Sequence, residues 1–124
     1  MAFIEFTANP KKKRTNDCIV RSIANATNRP WADVMRELCD LAIEFCTMPN
    51  DGEVVDEYMY RRKWFANQPK TPTTVAQFAA EHPQGRFVIG VKDHGVSIID
   101  GDWYDLVDSG RDLVVDYYEV KEEA

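Results

Sequence analysis

Thr15-Asn16-Asp17-Cys18-Ile19-Val20-Arg21-Ser22-Ile23-Ala24 opens a helix with a cysteine at its positive end. Asn16 or Thr15 can supply the side-chain oxygen that caps free N–H groups, and Asp17 sits where the macrodipole favours a carboxylate. Ile19, Val20 and Ile23 recur at helical spacing and predict a buried face. A thiol in the first turn feels unpaired N–H dipoles, which favour thiolate over thiol. On this segment alone, Cys18 reads either as an activated nucleophile or as a small apolar residue at a helix start. A histidine far down the chain separates the two.

Upstream, Ala2-Phe3-Ile4-Glu5-Phe6-Thr7 has strand composition and predicts an edge strand or a brace for the N-terminus. Asn9-Pro10 breaks it. The run Lys11-Lys12-Lys13-Arg14 then leads into the cysteine helix. It reads as a solvated loop or as a positive field that lowers the Cys18 pKa or draws in an acidic substrate.

Downstream, the first helix is expected over residues 17–26. Pro30 starts a second, over 31–45, with Trp31, Val34, Leu38, Leu41 and Phe45 as its apolar stripe. Cys39 and Cys46 lie seven apart on nearly one face. With no histidine pair nearby, they read as packing residues rather than metal ligands. A turn at Pro49–Gly52 precedes a third helix over 53–65, with Val54, Val55, Tyr58, Met59 and Phe65 inward. After the Pro69–Pro72 linker, Thr73 or Thr74 caps a short helix over 75–81, and His82 is expected exposed at its end.

After Gly85 the periodicity changes. Residues 86–91, 95–99, 103–107 and 113–118 read as strands separated by short Gly/Asp turns, and 121–124 as a frayed tail. Helices first and an antiparallel meander afterwards make an α+β domain. It divides into an N-terminal strand and basic loop (1–14), a helical half (15–82) and an antiparallel sheet (85–120).

The 124 residues suffice for one domain with its own core, and 44% hydrophobic with 29% charged residues is ordinary for a soluble protein. The net charge of −6 is uneven: residues 1–70 carry +1 and residues 71–124 carry −7. That acidic second half argues against nucleic acid as a partner. No apolar run approaches membrane-spanning length, and the N-terminus lacks a secretory layout. Three cysteines cannot all pair and do not form a disulfide framework, so the expected compartment is the cytoplasm. No cofactor and no metal are expected.

His94 follows Lys92-Asp93 at the start of a strand, and a turn at Asp100-Gly101-Asp102 leads to a returning strand ending in Asp108-Ser109. A three-residue turn sets His94 opposite Asp108, on one face, where the carboxylate can orient the imidazole. A two-residue turn shifts the register by one and brings Asp105 or Val107 to that face. Asp108 is the preferred acid and Asp105 the alternative. A helix-start cysteine, a strand-start histidine and an acid on the neighbouring strand are the three roles of a thiol hydrolase.

The segment from Asn16 to Thr27, followed by the Trp31–Leu38 helix, resembles the N-terminal half of small papain-like cysteine peptidases of bacteriophages and prophages. Its Cys-apolar-apolar-Arg-Ser run also looks like the cysteine helix of OTU-type deubiquitinases. The segments His94–Gly101 and Tyr104–Ser109 are similar to the second half of those phage proteins, and Asp108-Ser109 echoes the Asn-Ser after the papain histidine. The resemblance spans residues 15–38 and 85–119. It implies a papain-like fold with the nucleophile helix packed on the C-terminal sheet, Cys18 as nucleophile, His94 as general base and then acid, and Asp108 as orienter. Papain-like enzymes carry a Gln before the cysteine as oxyanion donor. Here those positions are Lys11–Arg14, so Asn16, with the Cys18 N–H, takes that role. The implied activity is cleavage of an amide or isopeptide bond in a protein or peptide substrate, a host protein among the candidates, in the host cytoplasm. The alternative is a non-catalytic phage accessory protein that binds and modulates a host protein on the same scaffold.

Overall fold

Pro30 and Thr74 start two helices where the sequence predicts them. Pro30 has φ −59° and precedes α2 (Trp31–Phe45); its fixed φ and missing N–H suit a helix start. Thr74 begins α4 (Val75–Glu81) with a full capping box. Its hydroxyl accepts from the Gln77 N–H at 3.1 Å, and the Gln77 side chain accepts from the Thr74 N–H at 2.9 Å. Between Pro30 and Thr74 also lies α3 (Gly52–Arg61), and α1 (Cys18–Thr27) precedes them. The strands are β1 (Phe3–Glu5), β2 (Arg86–Val91), β3 (His94–Ile99), β4 (Asp102–Asp105) and β5 (Asp116–Val120). The computed structural model describes residues 1–121, so of the tail expected at 121–124 only Lys121 is included and the rest lies outside the described residues. Among the described residues the fold is α+β, with four helices and a five-stranded mixed sheet.

The sheet order is β1-β4-β3-β2-β5, with β1 parallel to β4 and every other pair antiparallel. Side-chain alternation along the strands divides the core in two. Val88 and Tyr118 pack with α1, α2 and α3 on one face. Phe87, Ile89, Val96, Ile98 and Trp103 pack with Val75, Phe78 and Ala79 of α4 on the other. Gly95 and Ser97 share the first face. A Cβ on Gly95 would lie 3.6 Å from the Ile19 Cα, so glycine lets the start of α1 lie close on β3. Further along α1, the Asn25 amide donates to Ser97 Oγ at 2.8 Å.

Several expectations are corrected by backbone geometry. α3 stops at Arg61, and Lys63 adopts φ 62°. That left-handed residue swings Trp64 inward, where its indole donates to the Lys121 carbonyl at 3.2 Å, and leaves Phe65 58% exposed rather than inward. Cys46 is exposed, because α2 ends at Phe45 and Cys46 is its left-handed cap. His82 is half-buried rather than exposed, stacked on Phe78 with ring centroids 3.9 Å apart. The last strand starts at Asp116, not at residue 113. Leu113 instead bridges Thr74, and the Val114 N–H donates to the Thr73 carbonyl, so this stretch follows the approach to α4.

Candidate active site

Because α1 starts directly over β3, its first residue, Cys18, meets the first residue of β3, His94. The His94 imidazole and the Gly95 N–H stand close enough to the Cys18 sulfur to favour its thiolate. His94 Nε2 donates to Asp105 Oδ2 at 2.6 Å, which leaves Nδ1 as the ring nitrogen that faces the thiol. Cys18, His94 and Asp105 thus stand in one line from α1 through β3 to the end of β4, with the His94–Asp105 link a short hydrogen bond.

The acid is Asp105 and not the preferred Asp108. Asp100 and Gly101 have φ 50° and 82°, the geometry of a two-residue hairpin turn. Ile99 therefore pairs with Asp102, and Ser97 with Tyr104. Continued by one residue, that register sets Asp105 opposite Val96, on the face of His94 and diagonal to it. Asp102 belongs to β4 rather than to the turn, held there in part by the Ala2 N–H, which donates to its carboxylate at 2.9 Å. Asp108 is exposed and folds back on its own loop. Its Oδ1 accepts from Trp103 Nε1 and from the Gly110 N–H, each at 2.9 Å.

Asp105 is 3% exposed, and its second-line partners fix it firmly. Oδ1 accepts from the Leu106 N–H at 2.7 Å, and Oδ2 accepts from Ser109 Oγ at 3.3 Å. Arg21 Nη1 lies 3.6 Å from Oδ1. Arg21 itself is 8% exposed and donates through Nε to Asp17 Oδ1 at 2.8 Å. Sequence reasoning assigned neither Arg21 nor Ser109 a role. For Arg21 a signal was present: a cation one turn after Cys18, among Val20, Ser22 and Ile23, on a helix that is otherwise apolar at that level.

Asp17 does not act as a dipole-stabilising surface carboxylate. It is buried, makes no cap to the helix, and accepts from Asn9 Nδ2 at 3.1 Å and Trp31 Nε1 at 3.0 Å besides Arg21. Thr15 and Asn16 provide no side-chain cap either. The N–H groups of Cys18, Ile19 and Val20 consequently have no partner among the described residues, and they stand at the helix end beside the sulfur. Asn16, expected as an oxyanion donor, is exposed two residues before Cys18, and its amide makes no hydrogen bond among the described residues.

Burial of Cys18 opposes the thiolate, but hydrogen bonds from His94 and the Gly95 N–H, with the charges of His94 and Arg21, outweigh it and hold the thiol pKa below its ordinary value. The Lys11–Arg14 run is exposed, and the cations acting on the thiol are His94 and Arg21 instead. His94 is pushed up to about 10, first by its bond to Asp105 and then by its bond to Cys18. Burial pushes the Asp105 carboxyl up, and the bonds from His94 and the Leu106 N–H reverse this to leave it below the usual carboxylate value. Both shifts act in the same sense, favouring a thiolate–imidazolium pair, oriented by a carboxylate, over the neutral pair.

Among the described residues, no cluster of three or more His, Cys, Asp or Glu is placed to hold a metal ion, and no helix is long and apolar enough to cross a membrane. Compared with protein-family models, with curated proteins and with solved structures, the chain has no match in any of the three.

Proposed function

We propose that this chain is a papain-like cysteine hydrolase of the small phage type, cleaving an amide or isopeptide bond in a protein or peptide. The observation that carries the reading is the line Cys18–His94–Asp105 at the open end of a helix. The Cys18 thiolate attacks the carbonyl carbon, and the displaced electron pair moves onto the carbonyl oxygen. The Cys18 N–H, with the Asn16 amide turned inward, holds that oxyanion. As the tetrahedral species collapses, the C–N bond breaks and the leaving nitrogen takes the proton from His94 Nδ1. The neutral imidazole then removes a proton from water, whose oxygen attacks the thioester; collapse breaks the C–S bond, releases the carboxylic acid and restores the thiolate beside the protonated imidazole. Asp105 holds the ring in the tautomer and orientation that both steps need.

The test is labelling with an electrophilic peptide or ubiquitin-like probe, with the adduct located by mass spectrometry. The expected adduct is on Cys18 and disappears in His94→Ala. A Cys18 that labels no faster than the exposed Cys46 would overturn the reading in favour of the non-catalytic, host-binding scaffold.

A further inference from the structure

A cavity of about 590 Å³ opens beside the start of α1, and no step above uses it. Asn16 and Asp17 form part of its wall. Two trans peptide units separate Asn16 from Cys18, so their Cα atoms are at most about 7.6 Å apart. The interior is apolar, with Val20 of α1, Trp31 and Met35 of α2, and Met48 beyond α2. Lys11 and Lys13 stand on its rim.

The Asp17 and Asn9 side chains in this wall are already engaged. The Asp17 carboxylate accepts from Asn9, Arg21 and Trp31, and the Asn9 carbonyl oxygen accepts from the Lys11 N–H at 3.0 Å. An occupant therefore meets the apolar side chains of Val20, Trp31, Met35 and Met48 with the exposed Lys11 and Lys13 beside them. Met48 is 67% exposed and leaves apolar surface open at the cavity. The wall is also continuous with the reactive line: Trp31 holds Asp17, Asp17 holds Arg21, Arg21 lies against Asp105, and Asp105 holds His94.

We propose that this cavity receives an apolar substrate side chain next to the scissile bond, flanked by an acidic residue that meets Lys11 and Lys13. The assignment rests on the hydrolase reading and gives it a substrate class: sequences pairing a leucine-like residue with a carboxylate. The basic run thereby has a use that its distance from the thiol chemistry otherwise denies it.

The experiment compares Cys18 labelling by chloroacetyl-leucyl-glutamate, chloroacetyl-seryl-lysine and plain chloroacetamide, whose thiolate reaction forms a C–S bond and expels chloride in each case. The Leu-Glu reagent is expected to label Cys18 about ten-fold faster than the Ser-Lys reagent. Met48→Gln, a charge-neutral change at an exposed position where folding is spared, is expected to reduce that gain. Lys11→Glu with Lys13→Glu is expected to invert the charge preference. Chloroacetamide, too small to reach the cavity, should label all variants alike. Equal rates for the two dipeptides, or a preference unchanged in Met48→Gln, overturns the cavity assignment while leaving a reactive Cys18. A chloroacetamide rate at Cys18 no higher than at Cys46 removes the hydrolase reading itself, and the cavity assignment with it.

Discussion

Two polar networks cross this molecule, and only one of them leaves a reactive atom free. The first is the Cys18–His94–Asp105 line with Arg21 and Asp17 behind it. The second joins α2 to α3 around Glu37, which takes both guanidinium nitrogens of Arg29 at 2.6 and 2.7 Å, the Tyr58 hydroxyl at 2.7 Å and Arg62 at 2.8 Å. Both networks perturb their members. Glu37 is held down at about 2, chiefly by Arg29, and Tyr58 is pushed up to about 12 by burial and by Glu37. Around Glu37, however, the carboxylate is saturated by cations and a hydroxyl, so its charge is spent on fastening two helices. In the first network the chain of donors and acceptors ends on a sulfur at an uncapped helix terminus. A perturbed titration marks a functional site only where one group still has bonding left to give.

The most damaging break in that contrast is the link between histidine and acid. Asp105→Asn should lower turnover, or probe labelling where no substrate is in hand, by a factor of about 10 to 10⁴ while the fold persists by circular dichroism. Asparagine keeps the shape and loses the charge that holds His94 protonated. His94→Ala should turn Cys18 into an ordinary thiol, seen as an alkylation rate that climbs with pH through about 8 to 9.

The wild-type pH profile is the next sharpest comparison. His94 titrates near 10 in the fold, above its ordinary value of 6.5. Its contribution to stability is therefore fully present below about 6.5 and is lost as pH rises toward 10. Thiolate reactivity should persist to lower pH than for an ordinary thiol and fall in acid as the pair is protonated. Turnover should also fall near pH 10, where the imidazolium that donates to the leaving group disappears. A chemical-denaturation series and a labelling series over the same pH range check both.

Smaller effects are expected on the structural side. Glu37→Gln should cost about 1 kcal/mol, since the carboxylate is more than a third exposed and solvent screens its ion pairs. The midpoint of thermal unfolding should fall by a few degrees with Cys18 labelling unchanged. Asp108→Ala should leave labelling and turnover where they are, because its partners are Trp103 and Gly110 and not His94.

How far this was readable in the chain depends on whether a signal was local. Pro30 announced the start of α2, a threonine cap at 73 or 74 that of α4, and the apolar spacing after Cys18 placed α1 to within a residue. The pairing of Cys18 with His94 was legible as two roles, one at a helix start and one at a strand start. The acid was not, because its face depends on whether Asp102 lies in the turn or in the strand. Part of that answer comes from Ala2, a hundred residues away, whose N–H helps hold Asp102 in β4. The end of α3 was hidden for a similar reason: nothing local announces the left-handed Lys63 that brings Trp64 onto the Lys121 carbonyl. The family resemblance named the acid by its Asp-Ser echo, and Asp108 carried that echo without the position.

The Asp100-Gly101 hairpin turn has a consequence for how this chain tolerates change in length. Strand pleating makes the choice of face binary, so one residue added between Ile99 and Asp102 would turn Asp105 away from His94 and bring its neighbours round. The two-residue spacing therefore works as a selector that decides which carboxylate the imidazole sees, without touching either. Insertions in the Pro69–Pro72 linker should be absorbed, whereas a single one at Asp100-Gly101 should silence the thiol while leaving the sheet assembled.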